Sequence, residues 1–226
     1  MNQEQRKDIL KKYAKEFAVC PKSNNTLLEG IYYDSKGRGI VTNTHVLLLV
    51  DDVASPGTSP VVLHHATGNI LEGTYPNVDR IVPEKYSLSI DLFPEVWREI
   101  EPKQLKALEK LHKVAEGVAT LLDGVPAIMA GVEFYTKVAS YEVGGCELML
   151  KVSDSTITFS AILPAVKVRE VEFQIGFNPT YVVSALKLIA AFKPKKVTLN
   201  FNTALAPMVF TTDVGVTVLV TPIRIP

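Results

Sequence analysis

The sequence predicts an α+β protein with helices on one face of antiparallel sheets. Residues 86–226 read as strand, helix and three strands, twice over, in two halves of similar length. Each predicted helix has one apolar stripe and therefore one side to bury. Ser87–Leu92 alternates polar and apolar residues, as a half-buried strand does.

The elements follow in order. Residues 5–19 read as an amphipathic helix: Ile9, Tyr13 and Phe17 recur at i, i+4 and i+8, with Leu10 and Ala14 beside them. Lys7, Lys11 and Lys15 repeat the same spacing, roughly 130° from the apolar centre. Pro21 ends the helix. Strands are expected at 27–33 and 40–50, joined by the turn Asp34-Ser35-Lys36-Gly37-Arg38-Gly39. After His45 the second is almost wholly apolar, which predicts burial on both faces. A Pro-, Gly- and Ser-rich loop spans 51–60, a short strand 61–65, and an extended linker 71–83 through Gly73, Pro76 and Pro83.

Pro102 opens a helix at its favoured first turn, with Leu108, Leu111, Ala115 and Val118 on the buried side. Lys103, Lys106, Lys110 and Lys113 share that spacing and face away from it. Strands are expected at 127–138, 146–152, 155–162 and 167–176, with tight turns at Val143-Gly144-Gly145 and Val152-Ser153-Asp154-Ser155. Asn178 caps the next helix and Pro179 takes its first position; Val182, Leu186 and Ile189 form its buried stripe and Pro194 stops it. Strands at 196–202, 207–212 and 215–225 finish the chain.

Of the 226 residues 47% are hydrophobic and 21% charged, an ordinary globular balance with enough chain for one large or two small cores. Lys+Arg and Asp+Glu are 24 each, so any nucleic-acid surface must be a local basic stripe offset by acid elsewhere. The polar start, Met1 to Lys7, predicts no signal peptide. No apolar run reaches the roughly 18 residues of a membrane span. Cys20 and Cys146 read as two reduced thiols in a cytoplasmic protein.

Catalytic and cofactor chemistry find no constellation. His64 and His65 are adjacent on a predicted strand and should point to opposite faces, which argues against joint metal ligation. The Gly37/Gly39 turn has no following helix or Lys-Ser/Thr pair to cradle phosphate. Glu95, Glu99 and Glu101 read as a charged helix entry, His112 as a solvated flank and Trp97 as a packing anchor. No cofactor and no enzymatic activity are expected.

Two stretches near the C-terminus carry a family resemblance. They are Ile175-Gly176-Phe177-Asn178-Pro179-Thr180-Tyr181-Val182-Val183 and the closing Val220-Thr221-Pro222-Ile223-Arg224-Ile225. Together they resemble the last module of the bacterial replicative sliding clamp, the DNA polymerase III beta subunit. Val41-Thr42-Asn43-Thr44-His45-Val46-Leu47 is similar to the family's Thr-Asp-Gly-His-Arg-Leu stretch, with Thr44 in place of Gly and Val46 in place of Arg. Gly73 to Pro83 resembles the inter-module stretch Gly-x-Phe-Pro-Asp-Tyr-x-x-Val-x-Pro, with Pro76, Arg80 and Pro83 in their expected places.

The resemblance implies clamp-like modules of doubled β-α-β-β-β order. Residues 1–85 would be a partial module plus connector and 86–226 a complete terminal module, about one and a half modules in all. It further implies a DNA-tethering processivity factor without catalysis, assembled as a homo-oligomer in the cytoplasm. Its partners would be duplex DNA and polymerase or clamp-loader type proteins carrying short peptides. Carried over by position, a peptide pocket would be walled by Thr42, His45, Leu47, Pro76, Arg80 and Ile81 from the first part. Leu205, Pro207, Val220, Pro222, Ile223 and Arg224 would come from the second. An apolar floor with a few rim donors is how a small pocket captures a Leu or Phe anchor. Filling of an interdomain junction is the competing use of these residues. The lysine rows Lys7, Lys11, Lys15, Lys103, Lys106, Lys110 and Lys113 would touch phosphates, a salt-sensitive and sequence-independent contact; a solvated helix face is their competing use. The alternative function is a peptide-binding adaptor that does not encircle DNA.

Overall fold

The computed structural model describes residues 1–18, 26–92, 139–144, 147–153, 158–163 and 173–224. The helix expected to open at Pro102 and the strand at 127–138 lie outside them, as do Cys20, Cys146, His112, Trp97 and the glutamates before Pro102.

The chain opens with helix α1 (Gln3–Ala14). Asn2 and Gln5 form a reciprocal capping box, which satisfies two otherwise orphan donors. The helix starts two residues earlier and ends sooner than the sequence periodicity predicts. Its buried stripe is Arg6, Leu10 and Ala14, continued by Phe17 in the following turn, so the core-facing line sits one residue round from Ile9 and Tyr13. Arg6 causes the shift. Its guanidinium lies over the Phe192 ring at 5.3 Å. Its Nε donates to the Asp51 carbonyl at 2.8 Å and a terminal nitrogen to the Val214 carbonyl at 2.8 Å. A cation with backbone acceptors is as acceptable in that interface as an apolar residue.

Four strands follow: β1 (Gly30–Tyr33), β2 (Gly39–Thr42), β3 (Val46–Val50) and β4 (Val61–His64). A one-turn 3₁₀ helix, Thr26–Glu29, leads into β1 where strand was expected. The single long strand expected at 40–50 is instead a hairpin, broken at Asn43–His45. The Asn43 carboxamide accepts from the His45 and Val46 amides, at 3.0 and 2.9 Å, and turns the chain. β3 is buried at all five positions, as its apolar run predicts.

Next come β5 (Leu88–Leu92), β6 (Ala139–Gly144), β7 (Glu147–Ser153), β8 (Thr158–Leu163) and β9 (Phe173–Phe177). β6 was not expected from sequence, and Val143-Gly144, read as part of a turn, ends it. Helix α2 (Pro179–Phe192) has the expected bounds. Asn178 accepts from the Thr180 amide at 2.9 Å, Pro179 opens the helix, and Lys193 closes it in the left-handed conformation before Pro194. β10 (Val197–Phe201), β11 (Met208–Thr212) and β12 (Val216–Val220) form a meander. The terminal strand expected as one piece then leaves this sheet at Thr221. It continues as β13 (Pro222–Ile223), paired with β9.

The strands form two antiparallel sheets, in the orders β4-β1-β2-β3-β12-β11-β10-β5 and β13-β9-β6-β7-β8. One pattern recurs. Each meander, β1-β2-β3, β6-β7-β8 and β10-β11-β12, has one further strand on its first member: β4, β9 and β5 respectively. Two of these units join through their last strands, β3 and β12, with Val46 opposite Val220 and Val50 opposite Val216.

The joined sheet is buried on both faces. Val46, Leu48, Val50, Phe210, Val218 and Val220 point toward α1 and α2, which share one face and one core with them. The alternate residues Leu47, Leu49, Val209 and Leu219 form a second core under Tyr75 and Val78 of the segment joining β4 to β5. Burial of each large side chain contributes about 1.5–3 kcal/mol, so these two layers dominate the stability of the junction.

Candidate functional site

Strand registers place several distant segments at one end of the joined sheet. Thr42 pairs with Leu47, Val46 with Val220, and Val220 with Met208. The β2–β3 turn, the end of β12 and the start of β11 therefore meet there. Within the turn the Thr42 hydroxyl donates to the Val46 carbonyl at 2.7 Å and accepts from the Thr44 amide at 3.1 Å. Thr44 stands at φ 77, a left-handed conformation that β-branched residues avoid. His45 is fixed from two sides. Its carbonyl accepts from the Thr221 amide at 2.9 Å and hydroxyl at 3.0 Å, and its ring stacks on Tyr181 of α2 with centroids 6.0 Å apart.

Beside the crossing of the tail from one sheet to the other lies an open cavity of about 330 Å³. Gln174 and Gly176 of β9, Ala204 and Leu205 of the β10–β11 loop, and Ile223 and Arg224 of the tail line it. Ile223 pairs with Gly176, so the floor of the cavity is a strand pair. Leu205 is 66% exposed. Aliphatic walls with one amide and one guanidinium suit an apolar side chain that carries polar groups nearby.

The expected pocket residues divide into groups. Leu205, Ile223 and Arg224 surround the cavity. Thr42, His45 and Pro207 lie at the same end of the sheet, and Pro222 pairs with Phe177 at the root of the tail. Leu47 and Val220 are buried on opposite faces of the sheet and point into the two cores. Pro76, Arg80 and Ile81 are exposed on the connector and do not line this cavity. The sequence reading did not assign Gln174, Gly176, Ala204 or Tyr181. Gly176 and Tyr181 lie in the stretch 175–183 that carries the resemblance, but nothing local signals that the tail crosses to β9.

Of the expected phosphate-contacting lysines, Lys103, Lys106, Lys110 and Lys113 lie outside the described residues. Lys11 is exposed on α1 and Lys15 is exposed at its C-cap. Lys7 is half-buried, its Nζ 5.6 Å from the centre of the Tyr33 ring. Burial, assisted by the negative charge of Glu4, pushes the Tyr33 hydroxyl up to about 12.

His64 and His65 do not point to opposite faces. β4 ends at His64, the chain turns, and the two rings stack with centroids 5.0 Å apart. His64 Nδ1 accepts from the Ala66 and Thr67 amides, and Nε2 lies 3.5 Å from the Glu29 carboxylate. His65 Nδ1 is 2.6 Å from the Glu29 carbonyl. Both rings thus serve local structure, and among the described residues no group of three His, Cys, Asp or Glu side chains could hold a metal ion.

The connector between β4 and β5 is tied at both ends. The Leu71 amide donates to the Val62 carbonyl at 2.9 Å, and the Ser87 amide donates to the Asn202 side chain at 2.9 Å. Between them Tyr75 stacks on Tyr32, centroids 4.8 Å apart, and is buried. Its hydroxyl is buried beside the Thr42 backbone; burial pushes its pKa up and the Thr42 contact partly offsets this. Asp79, in a 3₁₀ turn (Val78–Arg80), reaches back to the β1–β2 turn. It pairs with Lys36 at 2.5 Å and Arg38 at 2.8 Å, which hold its carboxyl below the usual range.

No family model matches the chain. In sequence it is 28% identical over 158 residues to the beta sliding clamps of two Streptococcus pneumoniae strains, serotype 4 strain TIGR4 and strain R6. That match covers 69% of this chain and 35% of each relative, so it spans about a third of their length. In structure, the sliding clamp of Bacillus subtilis superposes at TM-score 0.69 and 17% identity, covering 97% of this chain and 63% of that one. The DNA polymerase III beta chain of S. pneumoniae TIGR4 does so at 0.69 and 18%, with the same coverage. The sliding clamp of Pseudomonas aeruginosa gives 0.69 at 12%, over 100% of this chain and 65% of that one. The chain is therefore homologous to the beta sliding clamp, and its fold is the clamp fold.

Proposed function

We propose that this homologue of the beta sliding clamp is a non-catalytic processivity factor that tethers replication or repair proteins to duplex DNA. One observation carries the reading: Leu205, Ile223 and Arg224 surround a cavity beside the junction of two four-stranded units, in a chain homologous to sliding clamps. A short peptide with an apolar anchor is the ligand such a cavity fits. Residues 1–85 act as a partial module with its connector and 86–226 as the terminal module.

DNA contact falls to Lys7, Lys11 and Lys15, joined by Lys103, Lys106, Lys110 and Lys113. Encirclement requires several copies. The edge through which they would associate is β8, because it corresponds to β3 and β12, the strands that already join two units. The experiment is solution mass combined with duplex binding. A closed oligomer whose DNA affinity falls by about 0.9 log units per log unit of salt for each phosphate neutralised is expected. A monomer that does not associate with duplex at low salt would replace this reading with a peptide-binding adaptor.

A further inference from the structure

The ion cluster at the β1–β2 turn lies outside the cavity and has no part in the function proposed above. Its construction is asymmetric. The basic half is pre-set by Asp34, which is 5% exposed. One Asp34 oxygen accepts from the Lys36 and Arg38 amides, both at 2.9 Å. The other accepts from Arg38 Nε at 2.7 Å and a terminal nitrogen at 2.6 Å. Arg38 is therefore aimed whether or not the connector is present. The connector adds only Asp79, whose side chain is 45% exposed.

We propose that Lys36, Arg38 and Asp79 form a salt-sensitive latch that holds the middle of the connector on the sheet, and whose release uncovers the apolar face beneath. The face in question is Leu47, Leu49, Val209 and Leu219, which Tyr75 and Val78 cover. Apolar burial of Tyr75 and Val78 favours the closed connector, and the ion pairs of Asp79 add to it at the middle of the segment. Other charges nearby are Asp51 at the end of β3, which feels both Arg38 and Asp34, its neighbour Asp52, and Arg80 on the connector itself. Because Asp34 keeps Arg38 when Asp79 leaves, opening strands no buried charge and can recur without unfolding the sheet.

Amide hydrogen exchange on the full chain tests this. At low salt, residues 74–82 should exchange about fivefold faster in Asp79→Asn than in wild type, the scale of an exposed ion pair. The strands of the joined sheet should exchange unchanged. Raising salt to about 1 M, where screening reaches within a few ångströms, should bring wild type to the variant's rate and leave the variant where it was. Lys36→Gln should give a smaller change of the same kind, and Asp79→Glu should restore protection. Equal exchange in wild type and Asp79→Asn would overturn the proposal. So would a rise spread evenly over the sheet, or a salt effect identical in both proteins.

Discussion

Thr44 holds a backbone angle that its residue type avoids. The turn between β2 and β3 requires φ 77 at this position. The clamp stretch it resembles has glycine there, the residue that takes such an angle without strain. A β-branched residue in the left-handed region costs on the order of 1–3 kcal/mol, while glycine adds unfolded-state entropy worth about 0.4–1 kcal/mol. Thr44→Gly should therefore stabilise the protein by about 1 kcal/mol, read as a raised urea midpoint at unchanged slope. Its hydrogen bond to Thr42 comes from the backbone amide and survives the change.

Asp79 supplies a pH prediction whose sign follows from its pairing. Lys36 and Arg38 hold its folded pKa below the unfolded value. A carboxylate so held stabilises the fold above the unfolded pKa, about 3.9, and the contribution fades as pH falls through the lower folded one. The stability gap between wild type and Asp79→Asn should be constant from neutral pH to about 5, then close toward pH 3. Solvent screening limits that gap to about 0.5–1 kcal/mol. A gap that widens in acid would contradict the pairing.

Among the elements, α1 depends most on a single side chain. Arg6 ties the helix to the end of β3, to the β11–β12 turn and to Phe192 of α2. Arg6→Met keeps the apolar stem but strands the Asp51 and Val214 carbonyls in a buried interface. A loss of roughly 3 kcal/mol is expected by denaturant titration, against less than about 0.5 kcal/mol for Lys11→Met on the exposed side.

The same helix shows what sequence could and could not reveal. Ile9, Tyr13 and Phe17 marked its existence, but an arginine on the buried line is invisible to an apolar pattern. For α2, Asn178, Pro179 and Pro194 are local signals, and its bounds were legible. The break at Asn43–His45 is masked in the sequence because apolar residues on both sides outweigh the turn chemistry of Asn43. The tail leaves the sheet after Thr221 because Pro222 and Ile223 pair with β9, a long-range pairing that no local pattern records. Leu205, Ile223 and Arg224 were legible as cavity residues through the resemblance. Their neighbours Gln174 and Ala204 were not, since they join the site only by tertiary contact.

At the scale of the whole molecule, one four-stranded unit recurs three times among the described strands, and two copies fuse through β3 and β12 into one sheet. Fusion places the β2–β3 turn, the β10–β11 loop and the tail together, although they are far apart in sequence. The cavity itself is lined from β9, the β10–β11 loop and the tail, so it depends on the crossing of the tail to β9. Opposing Val46–Val220 and Leu48–Val218 pairs lock the register, because a one-residue slip would exchange the two buried faces.

Titration of a labelled Gln- and Leu/Phe-containing clamp-binding peptide tests whether the cavity takes an apolar-anchored peptide. A buried Leu or Phe anchor contributes about 1.5–3 kcal/mol, and several together are consistent with micromolar affinity, about −8.2 kcal/mol after association costs. Ile223 lines the cavity and is half-buried. Ile223→Asp should abolish binding while leaving the circular dichroism and melting temperature close to wild type. Equal affinity in the two proteins, or no binding to wild type at millimolar peptide, would show that the tail and loop only pack against each other.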